Sequence, residues 1–251
     1  MDANEIVDYM LSLSNEAQSR QLMRFFKTAE GQYGYGDKFL GIKNPQVHEI
    51  VRHASGISRD EVTALIHSPW HEIRLCGFLI LVDMFLAQSK KSLVDTPAAI
   101  RERDEIVSLY IKEAEYANNW DLVDLSVIKI IGGWILLPSA LGDEAYKQSV
   151  IDDLADSPNL WRQRMSVVCT WKTSQAGNPD WCLRYSLRHL HHPHDLMHKA
   201  VGWMLREMGK GCGVETLRSF LDEHVSEMNR TTLRYAIERL PLDERLYWMK
   251  R

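Results

Sequence analysis

Ser157-Pro158-Asn159-Leu160-Trp161-Arg162-Gln163-Arg164-Met165-Ser166-Val167-Val168-Cys169-Thr170 carries the pattern that sets the fold. A proline stands where a helix begins, a basic residue follows six positions later, and then comes an apolar stretch with small residues for close helix contact. Two other stretches repeat it with the basic residue five or six positions after the proline: Ser68-Pro69 with Arg74 and the run to Leu81, and His192-Pro193 with Lys199 and the run to Leu205. The last two basic residues are 35 positions apart and the first pair 90, which suits two-helix units of roughly 35–45 residues stacked as a solenoid. No stretch alternates with period two as a strand would. The spacing also predicts a helical hairpin at Ile6–Leu13 and Ala17–Phe26, a helix from Pro45 to Ala54, one capped by Ser58 and ending near His67, and helices over 97–117, 143–156, 178–190, 213–225, 230–239 and 242–250. The reading is all-α: a single curved α-solenoid over residues 1–251.

The chain has 251 residues, ample for one large domain, and its 45% hydrophobic and 25% charged composition is that of a globular protein. The longest apolar run worth checking as a span, Ile128 to Leu137, is broken by Lys129 and two glycines and is too short to cross a bilayer. The acidic N-terminus has no basic leader region, and Cys76, Cys169, Cys182 and Cys212 show neither metal-ligand spacing nor a disulfide framework. These features suit a cytoplasmic protein with reduced cysteines. The net charge is −4, but it is unevenly spread. Residues 1–159 hold 15 Lys+Arg against 24 Asp+Glu, whereas residues 160–210 hold 8 against 3 and five of the ten histidines. One basic segment on an acidic body can hold a phosphate backbone, or can be a solvated helix face. Arg74, Arg164 and Lys199, at one position of the repeated unit, would form a row of cations across a concave surface; pairing with carboxylates between repeats is the other reading.

Asn119-Trp120-Asp121-Leu122-Val123-Asp124 opens a helix expected to run toward Trp134. Trp120 and Asp124 are four residues apart and share a face. An indole beside a carboxylate suits a cationic target, because the ring face attracts it and the carboxylate stabilises positive charge. A helix cap next to a core tryptophan would give the same letters. Trp203 has Lys199 four residues before it and Arg206 three after, an aromatic flanked by cations of the kind that packs on nucleic acid, or else a core tryptophan. Trp134, Trp161 and Trp171 fall on apolar stripes and are expected in the core. His194 and His198 have the i, i+4 spacing of a zinc-binding helix, but Pro193 puts His194 in the first turn and no third ligand accompanies them. The loop Gly31–Lys38 has three glycines without a preceding strand or a following GK[ST], and no GxSxG is present, so neither a P-loop nor a nucleophile elbow is expected.

Phe39-Leu40-Gly41-Ile42-x-x-Pro45, Asn119-Trp120-Asp121-x-Val123-Asp124, Leu160-Trp161-Arg162-Gln163-Arg164 and Lys199-Ala200-Val201-Gly202-Trp203-x-Leu205-Arg206-Glu207 together resemble the DNA alkylation repair enzymes, alkylpurine DNA glycosylases built from HEAT-like repeats. The four stretches lie in family order and cover nearly the whole chain. The resemblance implies HEAT-like helix pairs with a concave, locally basic cleft. It implies removal of cationic N3- and N7-alkylpurines from duplex DNA by a monomer, with no cofactor or metal. By position, Asp124 matches the catalytic aspartate, Trp120 and Trp203 the aromatics that pack on the lesion's sugar, and Arg164 the phosphate-holding arginine. Phe25 falls where the family presents a tyrosine. Two other readings are a catalytically silent DNA-binding module and a protein-binding solenoid.

Overall fold

The computed structural model describes residues 1–54 and 56–251, as sixteen α-helices and two short 3-10 turns with no strand among the described residues. They form two compact units, Met1–Ser126 and Val127–Arg251. The first contains α1 (Ala3–Ser12), α2 (Glu16–Phe25), α3 (Asn44–His53), α4 (Arg59–Ile66), α5 (His71–Ala87), α6 (Pro97–Lys112) and α7 (Trp120–Val127), whose last residue crosses the boundary. The second contains α8 (Ile131–Leu136), α9 (Glu144–Asp156), α10 (Leu160–Val168), α11 (Trp171–Gln175), α12 (Asp180–Arg188), α13 (Asp195–Gly211), α14 (Val214–His224), α15 (Arg230–Ala236) and α16 (Leu242–Lys250).

Local chemistry sets the helix starts. Asp2 and Ser58 each close a capping box with a glutamate three residues on, Glu5 and Glu61, and Asn15, Thr96, Asp143 and Asn159 accept from first-turn N–H groups. In the first unit α5 is buried from His71 to Val82 and is packed by α3, α4 and α6. In the second, α13 is the central helix, with α10, α11, α12, α14 and α15 against it. Two glycines of α13 permit close approaches: a Cβ at Gly211 would meet Ser174 O of α11 at 2.2 Å, and one at Gly202 would meet Thr232 O of α15 at 2.4 Å and Tyr235 Cβ at 2.6 Å. Among the described residues no helix is long and apolar enough to cross a membrane, and all four cysteines are free thiols. Burial pushes Cys182 up to about 11 and Cys76 up to about 12, so both stay protonated.

The structure departs from the sequence reading at four places. The helix expected from Asn119 toward Trp134 is two helices, α7 and α8, with turn residues 128–130 between them. The break falls on Ile128-Lys129-Ile130, where two β-branched isoleucines have reduced helix propensity. The 97–117 helix ends at Lys112 and continues as a 3-10 turn, Ala114–Tyr116. Trp171, expected in the core, is half-exposed under Lys172, whose Nζ lies 5.8 Å from the ring centroid. The repeated units also differ in register. Each proline sits one residue before a cap, with caps Trp70, Asn159 and His194, so Arg74 lies four residues past its cap whereas Arg164 and Lys199 lie five past theirs. One residue turns a side chain about 100° around a helix. Register does not decide exposure: Arg74 is buried against Asp37 and Arg164 is buried against Leu196 O, so of the three only Lys199 is partly exposed and the expected row of surface cations is not formed.

Candidate nucleic-acid repair site

Trp120 is the first residue of α7, and its N–H donates to Asn119 Oδ1 at 2.9 Å. Leu122, Val123 and Val127 are fully buried and fix the rotation of this short helix. That rotation leaves Trp120 and Asp124 together on a half-exposed face, while Asp121 turns inward. The indole lies on a pile of rings. Phe26 stacks on it at 5.3 Å and Phe25 meets it edge-on at 5.9 Å. Phe26 stacks in turn on Phe39 at 5.0 Å, and Phe39 on His71 at 4.3 Å. Phe26, Phe39 and His71 are buried, whereas Phe25, the last residue of α2, is 62% exposed. Offset and edge-on contacts of this kind add to the area the rings bury and hold Trp120 in one orientation.

A charged cluster underlies the rings. His71 opens α5, and its Nδ1 lies 2.7 Å from Asp37 Oδ2 while its Nε2 lies 2.9 Å from Asp121 Oδ2. Burial alone would lower the imidazole pKa. The charge and hydrogen bond of Asp121, then those of Asp37, outweigh it and push the group up to about 9. For Asp37, burial works toward protonation, but the hydrogen bond and charge of His71 and then the charge of Arg74 hold its carboxyl below the usual range. Arg74 Nη2 donates to Asp37 and, at 3.0 Å, to Asn118 Oδ1, and its Nη1 donates to Ser68 O at 3.0 Å. Beside it Glu72 is buried and accepts three consecutive main-chain N–H groups, from Leu40 at 2.9 Å, Gly41 at 2.8 Å and Ile42 at 3.1 Å. Gly41 takes φ +88°, and a Cβ there would meet Asn15 O at 2.2 Å. The Phe39-Leu40-Gly41-Ile42 stretch is therefore a loop wrapped on a buried carboxylate, holding Phe39 under Phe26.

The basic candidates belong to the second unit. Lys199, Trp203 and Arg206 follow one another along one face of α13 at i, i+4 and i+7, all three partly exposed. Lys199 Nζ pairs with Asp195 at 2.7 Å, and Arg206 pairs with Glu207 at 3.2 Å and with Glu238. Arg164 on α10 is buried, and its Nη1 donates to Leu196 O in the first turn of α13 at 2.7 Å. His194 caps α13 through Nδ1, accepting from Leu196 N at 3.1 Å, and His198 Nε2 lies against His192 O, so both imidazoles serve this helix start. No group of three or more His, Cys, Asp or Glu that could hold a metal is present among the described residues.

Sequence reading named Trp120, Asp124, Phe25, Arg164, Lys199, Trp203 and Arg206; it missed His71, Asp37, Glu72 and the inward role of Asp121. The available signal was His71-Glu72, two titratable residues in the first turn of an otherwise apolar helix, downstream of an acid in a glycine-rich loop. The family model for DNA alkylation repair enzymes matches residues 6–240. The chain belongs to the DNA alkylation repair enzyme family. The family name implies an enzyme with a role in DNA repair and with DNA as its partner. A solved structure, a predicted DNA alkylation repair enzyme from Enterococcus faecalis, has the same fold at a TM-score of 0.64, with 14% identity over 91% of this chain and 97% of that one. No curated protein matches this member of the family.

Proposed function

We propose that this DNA alkylation repair enzyme is a monofunctional glycosylase for cationic N3- and N7-alkylpurines, such as 3-methyladenine and 7-methylguanine, in duplex DNA, acting as a monomer in the cytoplasm. The observation that carries the reading is the face of α7, where a ring-clamped indole and the half-buried Asp124 lie side by side while Asp121 is taken up inside. A purine alkylated at N3 or N7 is already positively charged, so its glycosidic bond breaks with the electron pair leaving on the base and positive charge developing on the sugar. The Asp124 carboxylate stabilises that oxocarbenium character and orients the water that attacks C1′. Because the leaving group is activated, no strong general acid is required. Trp120 packs against the sugar. Trp203 of the second unit packs on the nucleic acid and Lys199 and Arg206 hold phosphates, while buried Arg164, to which the resemblance gives the same task, holds the first turn of α13 through Leu196 O. No cofactor is needed for this chemistry.

Phe25 favours a second reading. Its exposed ring carries no hydroxyl to offer the DNA, which suits a module that binds DNA without cutting the glycosidic bond. One experiment separates the two. Wild-type protein is expected to release 7-methylguanine from methylated duplex DNA, and Asp124→Asn to lose about 10²–10³ of that rate with unchanged DNA affinity and melting temperature. Release by the variant at the wild-type rate would overturn the assignment of Asp124. DNA binding without release by the wild type would establish the silent module.

A further inference from the structure

We propose that His71, acting as a buried imidazolium between Asp37 and Asp121, is the positioning residue of the α7 face, fixing Trp120 and Asp124 for the reaction. The proposal rests on the glycosylase reading for its consequence in catalysis, and on geometry alone for its structural half. Both ring nitrogens face carboxylate oxygens at hydrogen-bond distance, 2.7 Å and 2.9 Å. An ionised carboxylate only accepts, so both nitrogens must donate, and the ring carries both protons. It thereby ties three segments separated in sequence by 34 and 50 residues: the glycine-rich loop through Asp37, the first turn of α5, and the first turn of α7 through Asp121. Asp121 is the neighbour of Trp120 and lies three residues before Asp124, in a helix of only eight residues. A second route runs through the rings, since His71 stacks on Phe39 and lies 5.0 Å from Phe26, on which Trp120 rests.

The charges around the ring are few: His71 and Arg74 balance Asp121 and Asp37, and buried Glu72 is a carboxylate outside that balance. Asp121 faces it from α7 and Asp37 from the loop, and Arg74 of α5 takes the other oxygen of Asp37. Glu72, the next residue of α5, is occupied by the three N–H groups of Leu40, Gly41 and Ile42. Removing the imidazolium proton leaves one carboxylate facing a nitrogen lone pair and the buried cluster with a net negative charge. That cost falls on whichever segment yields, and both α7 and the loop beneath its rings depend on the contact.

The test combines single-turnover release of 7-methylguanine, DNA affinity and the Trp120 indole N–H resonance, each followed from pH 6 to pH 10. In the wild type the chemical rate is expected to hold to about pH 8 and fall through about pH 9, the indole resonance moving over the same interval. His71→Gln is expected to retain DNA affinity while losing about 10- to 100-fold in the chemical rate, the cost of a site displaced by a fraction of an ångström to an ångström. Asp121→Asn keeps the shape of the contact but removes one charge, so its alkaline limb moves down by about 1 pH unit or more. A purely structural histidine would lower stability and leave limb and rate alone in folded protein, and that result would overturn the proposal. If the wild type releases no base, the glycosylase reading falls, and the indole titration alone decides whether His71 positions Trp120. Should His71→Gln fail to fold, the limb of Asp121→Asn and the wild-type indole titration decide it, an unmoved limb or a flat titration counting against.

Discussion

A buried carboxylate that accepts several consecutive main-chain N–H groups holds a loop in one path, and Glu72 does so for Leu40, Gly41 and Ile42. Cutting it back to alanine leaves three donors without a partner in a dry environment. Glu72→Ala is therefore expected to destabilise the first unit by about 3–5 kcal/mol, and Glu72→Gln, which keeps one accepting oxygen, by about 1–3 kcal/mol. Urea unfolding of the two variants beside the wild type checks both the magnitude and the order. The same residues show why the site was half legible. Trp120 and Asp124 could be placed on one face because the information is local, four residues at helical period. The acid at Asp121 looked like an ordinary first-turn residue, because nothing within a helix turn reveals a histidine 50 positions earlier. Phe39-Leu40-Gly41-Ile42 could be matched as a pattern without a reason; the reason, a carboxylate some 30 positions onward, exists only in three dimensions.

Helix–helix contact in the second unit uses small residues of α13, and Gly202 serves the contact with α15. Gly202 packs against the backbone of α15, so Gly202→Ala drives a methyl into Thr232 O and the Tyr235 Cβ. The helices must separate, at a cost of about 1–3 kcal/mol, which a lowered melting temperature would report. Because Trp203 is the next residue, the same variant should also weaken DNA binding in the proposed reading, whereas a glycine-to-alanine change at a solvent face would stabilise. Small residues at such contacts were readable from the repeated pattern, and so were the helix starts, because caps are chemical signals a few residues long. The break between α7 and α8 was not. Apolar spacing continues through residues 120–134, and only the low helix propensity of Ile128 and Ile130 marks the interruption. The register of the prolines was misread for a related reason: five and six residues look alike on the page, but they are a third of a turn apart on a helix.

The two units differ in charge and in the direction of their response to pH. Met1–Ser126 carries 13 Lys+Arg against 19 Asp+Glu, and Val127–Arg251 carries 17 against 15, so the cations available to a polyanion are concentrated in the second unit despite the overall charge of −4. Lys199→Ala is expected to weaken binding to any duplex and to reduce the slope of log affinity against log salt by about 1, leaving sequence preference unchanged. The histidines divide in the same way. In the second unit His189 lies against Ser166 Oγ, and burial, then the charges of His192 and Arg188, push it down to about 4, with His192 and His194 also lowered, first by burial. A histidine kept neutral in the folded state stabilises fully above its unfolded pKa near 6.5, and that stability is lost as pH falls toward 4, about 3 kcal/mol for a shift of this size. His71 in the first unit has the opposite sign. Its contribution is complete below pH 6.5 and is lost as pH rises through about 9, again on the order of 3 kcal/mol. Urea unfolding at pH 5, 7.5 and 10 should therefore show a stability maximum between these windows. His189→Gln should flatten the acid side alone, and His71→Gln the alkaline side alone. A single variant that flattened both sides would mean that the two groups are coupled, and the assignment of each window to its own unit would fail.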